Sequence, residues 1–414
     1  MNYYIVLILI AIIFIYHLFI LILRMNSSKR PIPDNLKDIY SKVEYEKWAK
    51  YHKKSVSLEI IESIIKFIAL FILFAFKVYA KFASLFNGEL ANQVLGVVLL
   101  SFATDFIIGI GFDYYKVMVL DKEYGLSVTK IGTFIADEVK DLVIGFGLTY
   151  GLILFIGYMH KLLGDWMILV VFAFMLVFVL VISLIVPTLM KIKYRCDDLE
   201  EGELRTRLLD LLHDNGYEVR KIGVINQSKR STTGNALFTG MGKFKTIILF
   251  DTIIDQLSTD ELVAVFSHEV GHGKHKDTIK NYLTNSISIL LLILVSWLLI
   301  NYNSLYTDFG FETVNYGFTF IILSEVILEI ASPIRGIIGN KISRIAEYNA
   351  DNFACSLGYG EALASALKKL SNSNMADLNP HPLIVLLKYS HPTMSDRLKN
   401  IYSHVLIKQE EKND

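Results

Sequence analysis

Long apolar runs separated by short charged connections dominate the pattern of this chain. Runs of the roughly 17 to 25 residues that a helix needs to cross a bilayer occur about seven times. They extend from Tyr4 to Leu23, Ile60 to Tyr79, Val94 to Phe112, Leu142 to Met159, Met167 to Met190, Leu283 to Ile300 and Tyr316 to Ile334. The pattern predicts a mainly α-helical, multi-pass membrane protein with about seven transmembrane helices.

The charges of the connecting loops predict the orientation. Lys and Arg are frequent in 24–54, in 116–140 and directly after the fifth run, and they are scarce in the alternate connections. Because basic loops stay in the cytoplasm, we expect the N-terminus outside and residues 191–282, with the C-terminus, in the cytosol. The chain then divides into a membrane region of about five helices (1–190), a cytosolic region (191–282), two further helices (283–334) and a C-terminal region (335–414).

Composition agrees with a membrane location and excludes one class of partner. Of the 414 residues, 53% are hydrophobic and only 20% are charged, which is more apolar than an ordinary soluble enzyme. The 41 basic and 41 acidic residues balance, so no overall field favours nucleic acid. Cys196 and Cys355 are too far apart in sequence to form a zinc-ribbon or CxxC pattern. We therefore expect the lipid bilayer, and no nucleic acid, as a partner.

The cytosolic region contains a small β element. Glu200 to Tyr217 has the pattern of an amphipathic helix, and Val219 to Ile225 and Thr246 to Asp251 have the pattern of short strands, with Asn235 to Phe238 between them. An exposed strand edge there would let an extended peptide add by backbone hydrogen bonds. A plain β-hairpin with a glycine-rich turn explains the same residues equally well.

The motif His268-Glu269-Val270-Gly271-His272 brings in chemistry. Ser258 and Glu261 have capping-box spacing just before it, so the motif lies on a helix. Two imidazoles four residues apart lie on one face of a helix, where both can bind one zinc ion, and Glu269 can then act on a water molecule. The spacing predicts the core of a metalloprotease.

A catalytic zinc site takes three protein ligands and leaves one position open. The favoured third ligand is Glu347, because Asp351 follows four residues later and can accept a hydrogen bond from a ligating histidine. A surface ion pair between Glu347 and Arg344 is the alternative. His275 is a less favoured ligand, and the metzincin pattern is excluded because His275 and Thr278 stand where that class has glycine and histidine.

Taken together, the motifs resemble the CAAX prenyl protease 1 family, integral-membrane gluzincin zinc metalloproteases. The resemblance rests on HEVGH, on the segment from Glu347 to Asp351, on Asn235-Ala236 before a strand, and on Ser390-His391-Pro392-Thr393 followed by Arg397. It extends to FDYYKVMVLDKEYGL at 112–126, and so covers nearly the whole chain. The compact N-terminal region and short tail indicate a bacterial-type member.

The resemblance implies more than the spacing predicts. Members of the family are barrels of seven transmembrane helices around a water-filled chamber, with zinc at the cytosolic end. They remove the last three residues from peptides with a C-terminal CAAX box, typically after prenylation. The family's zinc ligands match His268, His272 and Glu347; its acid/base matches Glu269; residues near the scissile carbonyl match His391 and Asn235; and a residue of the active-site wall matches Arg397. Leu237 departs from the family's Asn-Ala-Tyr.

We therefore expect a membrane-embedded zinc metalloendopeptidase with one Zn²⁺ per chain. Its substrates would be peptides or proteins, among them prenylated C-terminal CAAX peptides. A quality-control protease of HtpX type, a non-catalytic zinc-bound scaffold and a transporter remain as alternatives. The host membrane would be the plasma membrane of a prokaryote or the endoplasmic reticulum membrane of a eukaryote, with the site facing the cytosol.

Overall fold

The structure, a computed structural model, describes residues 2–86, 88–219, 222–241 and 244–413, without the side chains of 186–189, 191–193, 237–246 and 408–413. The membrane region contains α1 (Asn2–Met25), α2 (Lys42–Ala75), α3 (Val78–Ala83), α4 (Leu90–Tyr114), α5 (Asp121–Tyr124), α6 (Ile131–Leu163) and α7 (Met167–Lys193). The predicted mainly α-helical class is confirmed.

A small sheet and further helices follow. They are β1 (Cys196–Asp198), α8 (Glu203–Asp214), β2 (Ile222–Ile225), β3 (Ala236–Met241), β4 (Phe244–Phe250), α9 (Asp251–Gln256), α10 (Thr259–Lys274) and α11 (Asp277–Ile300). The remaining helices are α12 (Asn303–Asp308), α13 (Tyr316–Ile322), α14 (Leu328–Ser356), α15 (Gly360–Ser373), α16 (Pro382–Lys388) and α17 (Met394–Asn413). The predicted boundary between 334 and 335 falls inside α14, which carries the chain from the membrane region into the C-terminal region.

Five helical segments of the described residues are long and apolar enough to cross a membrane. That number does not confirm the predicted seven, and the difference has two sources. One source is the hairpin of α6 and α7, which counts as the single segment Ile131–Ile185. The two helices are antiparallel, because the ring centres of Phe155 and Phe174, which are equally far along the chain from the turn, lie 4.2 Å apart. The other source is α2, which is not among the five because of its charged residues.

Contacts at both ends show that α2 returns alongside α1. The Tyr3 hydroxyl donates to the carbonyl of Ala75 at 2.7 Å, and the Arg24 guanidinium pairs with Glu59 farther along. The charged face of α2 lines a cavity of ≈ 720 Å³ between α1, α2, α4 and the start of α14. Polar residues along α2 therefore face the cavity. This explains why α2 is too polar to be identified as a membrane span from its composition alone.

The sheet has the strand order β1-β2-β4-β3. β2 and β4 pair in parallel, while β3 pairs antiparallel to β4, so β3 is one of the two edge strands and β1 is the other. Around Asn235, β3 and β4 form a hairpin, and β3 pairs with no second strand in the described part of the chain. The Leu237 side chain and residues 220–221 of the first predicted strand lie outside the described residues.

An apolar core behind the sheet fixes the motif helix. Leu208 of α8, Ile222 of β2, Leu249 of β4 and Phe266 of α10 are fully buried in one cluster. Burying such side chains contributes roughly 1.5–3 kcal/mol each. The apolar face of α10 is therefore held against the sheet, which leaves its histidine face for α14.

Candidate metal centre

The capping box predicted for the motif helix is present at the start of α10. The Ser258 hydroxyl accepts the backbone N–H of Glu261, and the Glu261 carboxylate accepts the backbone N–H of Ser258 at 2.8 Å. Lys369 and Ser365 of α15 also donate to Glu261, at 2.8 and 2.7 Å. Burial opposes ionisation of this carboxyl, but the hydrogen bonds from Lys369, Ser365 and Ser258 outweigh it and lower the pKa of Glu261 to about 2. The carboxylate thus ties α10 to α15 at neutral pH.

A close helix crossing brings the motif to α14. A Cβ placed on Gly271 would lie 2.9 Å from the Cα of Ala350, which is closer than such atoms approach, and 3.1 Å from the Cβ of Phe353. Glycine at 271 therefore lets α10 and α14 touch backbone to backbone. Ala350 stands three residues after Glu347, so the crossing places that carboxylate opposite the two motif histidines.

The side chains of His268, His272 and Glu347 converge, with ligand atoms all within 4.8 Å of one another. His268 Nε2 lies 3.6 Å from Glu347 Oε2, and His272 Nε2 lies 3.4 Å from Glu347 Oε1. Two atoms bound about 2.05 Å from a tetrahedral zinc are separated by about 3.3 Å. Each of the two observed distances is thus close to the separation of two ligands on one zinc ion.

An orphaned atom gives a second test of the fit. Glu347 is only 5% exposed, and its Oε2 is buried without a hydrogen-bond partner among the described residues. Leaving a buried carboxylate oxygen unsatisfied is costly, and a cation at the convergence point would remove that cost. Two imidazoles and one carboxylate are also the donor set of a catalytic zinc site. The residues present therefore fit a zinc ion.

A carboxylate backs each of the two histidines. His268 Nδ1 lies 2.8 Å from Asp351 Oδ1, and His272 Nδ1 lies 3.0 Å from Asp277 Oδ2. Both pairings fix the ring so that Nε2 faces the convergence point. Asp351 is placed as the sequence predicts, whereas Asp277 was missed. Its signal was an acidic residue five positions after His272, at the start of the next helix.

The electrostatic state of His272 reflects these neighbours. Burial opposes its protonation, but hydrogen bonds with Glu347 and Asp277 outweigh it and raise the pKa of His272 to about 9. In the absence of a metal, a proton on His272 is thus held by the surrounding carboxylates. The position attracts a positive charge.

Arg397 and His391 complete the surroundings of the three converging residues. Arg397 donates to both oxygens of Asp351, at 2.6 and 3.0 Å, and its Nη1 lies 3.6 Å from Glu347 Oε2. His391 Nδ1 lies 2.9 Å from Glu347 Oε1, while its side chain is 64% exposed. Arg397 therefore fixes the carboxylates from behind, and His391 borders open space.

The remaining predicted residues are not among the three that converge. Glu269 is half-buried beside the histidines. Asn235 is exposed at the start of β3, where its Oδ1 accepts the backbone N–H of Ala236 at 2.8 Å; in the described part of the chain no hydrogen bond or ion pair joins it to the three converging residues. His275 ends α10 and its Nδ1 lies 2.8 Å from the carbonyl of Gly271, so it caps the helix. Arg344 donates to the carbonyls of Val385 and Tyr389.

Comparisons with known proteins agree with this geometry. Residues 198–405 match the model of peptidase family M48, and residues 21–191 match that of the CAAX prenyl protease N-terminal region, described as five membrane helices. The chain is 34% identical over 300 residues to the probable CAAX prenyl protease 1 of Schizosaccharomyces pombe, covering 71% of this chain and 62% of that protein. It is 31% identical over 311 residues to the CAAX prenyl protease 1 homolog of Arabidopsis thaliana, covering 74% and 72%.

A solved structure shares the fold. The crystal structure of S. mikatae Ste24p superimposes with a TM-score of 0.89 at 23% identity, covering 96% of this chain and 98% of that one. These three relatives are eukaryotic, and the comparisons do not support the expected bacterial-type assignment.

Proposed function

Because this chain belongs to peptidase family M48, in its CAAX prenyl protease branch, we propose that it is a zinc-dependent protease that shortens prenylated C-terminal peptides. The chain is an integral-membrane metalloendopeptidase of this family. The observation that carries the proposal is the convergence of His268 and His272 on Glu347, in which each Nε2 lies 3.4–3.6 Å from one oxygen of the carboxylate.

The proposed zinc ligands are these three residues. Zinc held there would supply Lewis acidity, which polarises a carbonyl and lowers the pKa of water to about 7. Asp351 and Asp277 would hold the histidine rings in the ligating tautomer, with the Nδ1 proton donated to the carboxylate. Arg397 would keep Asp351 ionised and in place through its two hydrogen bonds.

Glu269 is the proposed general base and acid. It follows His268 on α10 and is half-buried, so its carboxylate can reach a water molecule near the ligands. It would take a proton as that water attacks the peptide carbonyl and then deliver it to the leaving amine. General acid–base catalysis of this kind contributes typically 10²–10⁴-fold in rate.

His391 is the proposed donor to the oxyanion. Its Nδ1 edge contacts Glu347, so the Nε2 edge is turned towards open space, where a substrate carbonyl would lie. Asn235, at the start of the edge strand β3, is proposed to assist from the opposite side of the peptide, which would extend the sheet as an added strand. One such donor is typically worth 10²–10³ in rate.

The substrate class follows from the relatives' names and from the cavity. Both curated relatives are named for cleavage of prenylated CAAX sequences. The cavity of ≈ 720 Å³ in the membrane region is lined by apolar residues such as Ile13, Phe14 and Phe67, which suit an isoprenoid chain. We place the site on the cytosolic side because the basic loops share its end of the molecule.

The test uses the purified full-length protein and three substrates: a farnesylated CAAX peptide, the same peptide without the farnesyl group, and an unfolded membrane protein. We expect one zinc per chain and release of the C-terminal tripeptide from the farnesylated peptide, with loss on chelation and recovery on adding zinc. Glu269→Ala should keep the zinc and lose turnover, whereas His268→Ala should lose both.

Three outcomes would contradict the proposal in different ways. Equal turnover of all three substrates would indicate quality control of membrane proteins instead of CAAX processing. Zinc without turnover of any substrate would indicate a scaffold. Turnover that persists in Glu269→Ala would remove this residue from the proposed chemistry.

A further inference from the structure

Lys388, the last residue of α16, stands between two cavities. It lines the ≈ 720 Å³ cavity of the membrane region and also a second cavity of ≈ 400 Å³, which is bordered by His391 and Arg397. Tyr389 is the other residue that the two cavities share. A group bound at Lys388 is therefore within reach of a substrate in either cavity.

The charge of Lys388 is free for a ligand, unlike that of the other cations lining these cavities. Lys66 pairs with Glu62 at 2.6 Å, and Arg397 pairs with Asp351. Lys388 forms no ion pair with a carboxylate of the described residues, and it makes a cation–π contact with Tyr16, with Nζ 5.6 Å from the centre of the ring.

Acidic groups near Lys388 are engaged elsewhere. Glu329, across the larger cavity, is paired with His17 at 2.9 Å. Asp377, which lines the smaller cavity, accepts the backbone N–H of Asn379 at 3.1 Å. An anion entering either cavity thus meets Lys388 as an exposed cation that has no carboxylate of the described residues within ion-pair distance, and Glu329 acts on its charge only from farther away.

The usual role of a lysine at this position is already filled. A basic side chain in the last turn of a helix commonly compensates the terminal carbonyls. Here Arg344 donates to the carbonyls of Val385 and Tyr389, and Asn340 donates to that of Leu387 at 2.9 Å. These bonds also anchor the backbone around Lys388 to α14, the helix that carries Glu347.

The span between Lys388 and the proposed metal site suits the terminal carboxylate of a peptide substrate. Lys388 precedes His391 by three residues, a span of at most about 11 Å, and His391 contacts Glu347 at the proposed metal site. In a substrate that loses its last three residues, the terminal carboxylate follows the scissile carbonyl by the same number of residues and hence by a similar span.

From these observations, and resting on the proposed function, we infer that Lys388 binds the terminal carboxylate of the substrate. An ammonium group that donates to a carboxylate forms a charge-assisted hydrogen bond. The contact would recognise a free C-terminus and set which peptide bond reaches Glu269. Lys388 is thus a specificity-determining residue of the same site and has no part in proton transfer.

The test compares two farnesylated peptides of one sequence, one ending in a carboxylate and the other in a carboxamide. We expect the wild-type protein to prefer the carboxylate by about tenfold in kcat/KM, mainly through KM, as for one hydrogen bond to a charged group. Lys388→Gln should cleave both peptides at the rate at which the wild type cleaves the amide. That retained activity also shows that the variant is folded.

Two further variants sharpen the result. Lys388→Arg should restore the preference, and Lys399→Gln, which removes an exposed lysine of α17, should leave it unchanged. The inference is overturned if the wild type does not distinguish the two peptides, or if the preference survives in Lys388→Gln. Failure of the wild type to cleave either peptide overturns the proposed function itself, and the inference with it.

Discussion

At the scale of single residues, the carboxylates and imidazoles of the site pair with one another when no metal is bound. His272 lies between Glu347, 3.4 Å from its Nε2, and Asp277, 3.0 Å from its Nδ1. The same carboxylates that hold a proton on the ring would hold the ring as a ligand. Metal and proton therefore compete for one position, and their competition is measurable.

The first prediction concerns the pH dependence of zinc binding. His272, whose pKa is raised to about 9, is protonated below that pH when no metal is bound, whereas a ligating imidazole must be neutral. Binding at neutral pH thus releases a proton, and zinc affinity should rise about tenfold per pH unit as the pH increases towards 9. Competition with a fluorescent chelator at pH 6.5, 7.5 and 8.5 measures the slope.

A matched variant tests the cause. Asp277→Asn removes one of the two groups that raise the pKa of His272, so its affinity should depend less steeply on pH. It should also bind zinc 10–100-fold more weakly, the usual effect of losing such a backing carboxylate. A wild-type affinity that is constant over this pH range would contradict the protonation of His272 in the metal-free site.

The second prediction concerns the contact at Gly271. In Gly271→Ala the new methyl group would meet the Cα of Ala350 at 2.9 Å, so α10 and α14 must move apart. We expect a lower stability, by about 1–3 kcal/mol as in other overpacked sites, together with loss of bound metal because Glu347 moves away from the histidines. Thermal unfolding in detergent and metal analysis measure the two effects.

Gly339→Ala on the same α14 is the control, because nothing lies within 4 Å of a Cβ at that position. It should leave the metal content unchanged and, since alanine favours a helix by roughly 1 kcal/mol over glycine, should not lower stability. Equal metal content in Gly271→Ala and Gly339→Ala would show that the close crossing does not position the site.

At the scale of elements, a loop of the membrane region is clamped to the loop that leads into β3. Arg230 donates to both oxygens of Asp137 in α6, at 2.7 and 3.2 Å, and its carbonyl accepts from the N–H of Val128 and the hydroxyl of Thr129. The Ser231 hydroxyl adds a bond to the Leu126 carbonyl. The edge strand proposed to bind substrate is thus held by the membrane helices.

The third prediction follows from this clamp. Arg230→Gln should lower kcat/KM by about tenfold or more, since displacing a bound peptide by 1 Å can cost up to about 10² in rate. Its metal content should not change, because none of the three proposed ligands contacts Arg230. Peptide cleavage and zinc analysis of the same preparation test both expectations.

Arg195→Gln is the matched control. Its pair with Asp197 is mostly exposed, with side chains 73% and 63% accessible, and such pairs contribute little. Exchange of the clamp partners, Arg230→Asp with Asp137→Arg, should recover part of the activity. A single Arg230→Gln variant with full activity would contradict a positioning role.

Elements also show what could be predicted from the sequence. The spacing of His268, Glu269 and His272, and that of Ser258 and Glu261, lies within one helix, so 3.6-residue periodicity was enough to place them. Asp277 reaches His272 only because Lys276 adopts the left-handed conformation, with φ 57°, and redirects the chain. No periodic pattern of the sequence predicts that turn. The two cavities that meet at Lys388 could not be predicted either, because they form between elements that are far apart in sequence.

At the scale of the whole molecule, the loops separate into two groups at opposite ends. The backbone N–H of Asn2 donates to Asp308 at 3.0 Å, and His160 Nδ1 lies 2.9 Å from the Tyr316 hydroxyl, so the N-terminus and the sparsely charged loops lie together. The candidate metal centre lies at the other end, with the basic loops. This separation agrees with the alternation of basic and sparsely charged loops along the sequence. The place of the charged helix α2 between two such loops is evident from its contacts with α1 and not from its composition.

The last prediction assigns the two ends to the two sides of the membrane. If the positive-inside rule governs insertion, exposed residues of the sparsely charged end lie outside the cytosol and those near the candidate site lie within it. In a Cys196→Ser background, with Cys355 buried, Ser304→Cys should react with a membrane-impermeant thiol reagent in sealed right-side-out vesicles. Lys229→Cys should react only after permeabilisation. The reverse labelling pattern would put the candidate metal centre on the outside, where it could not meet a substrate prenylated in the cytosol. Labelling of both variants before permeabilisation would show that the vesicles were not sealed.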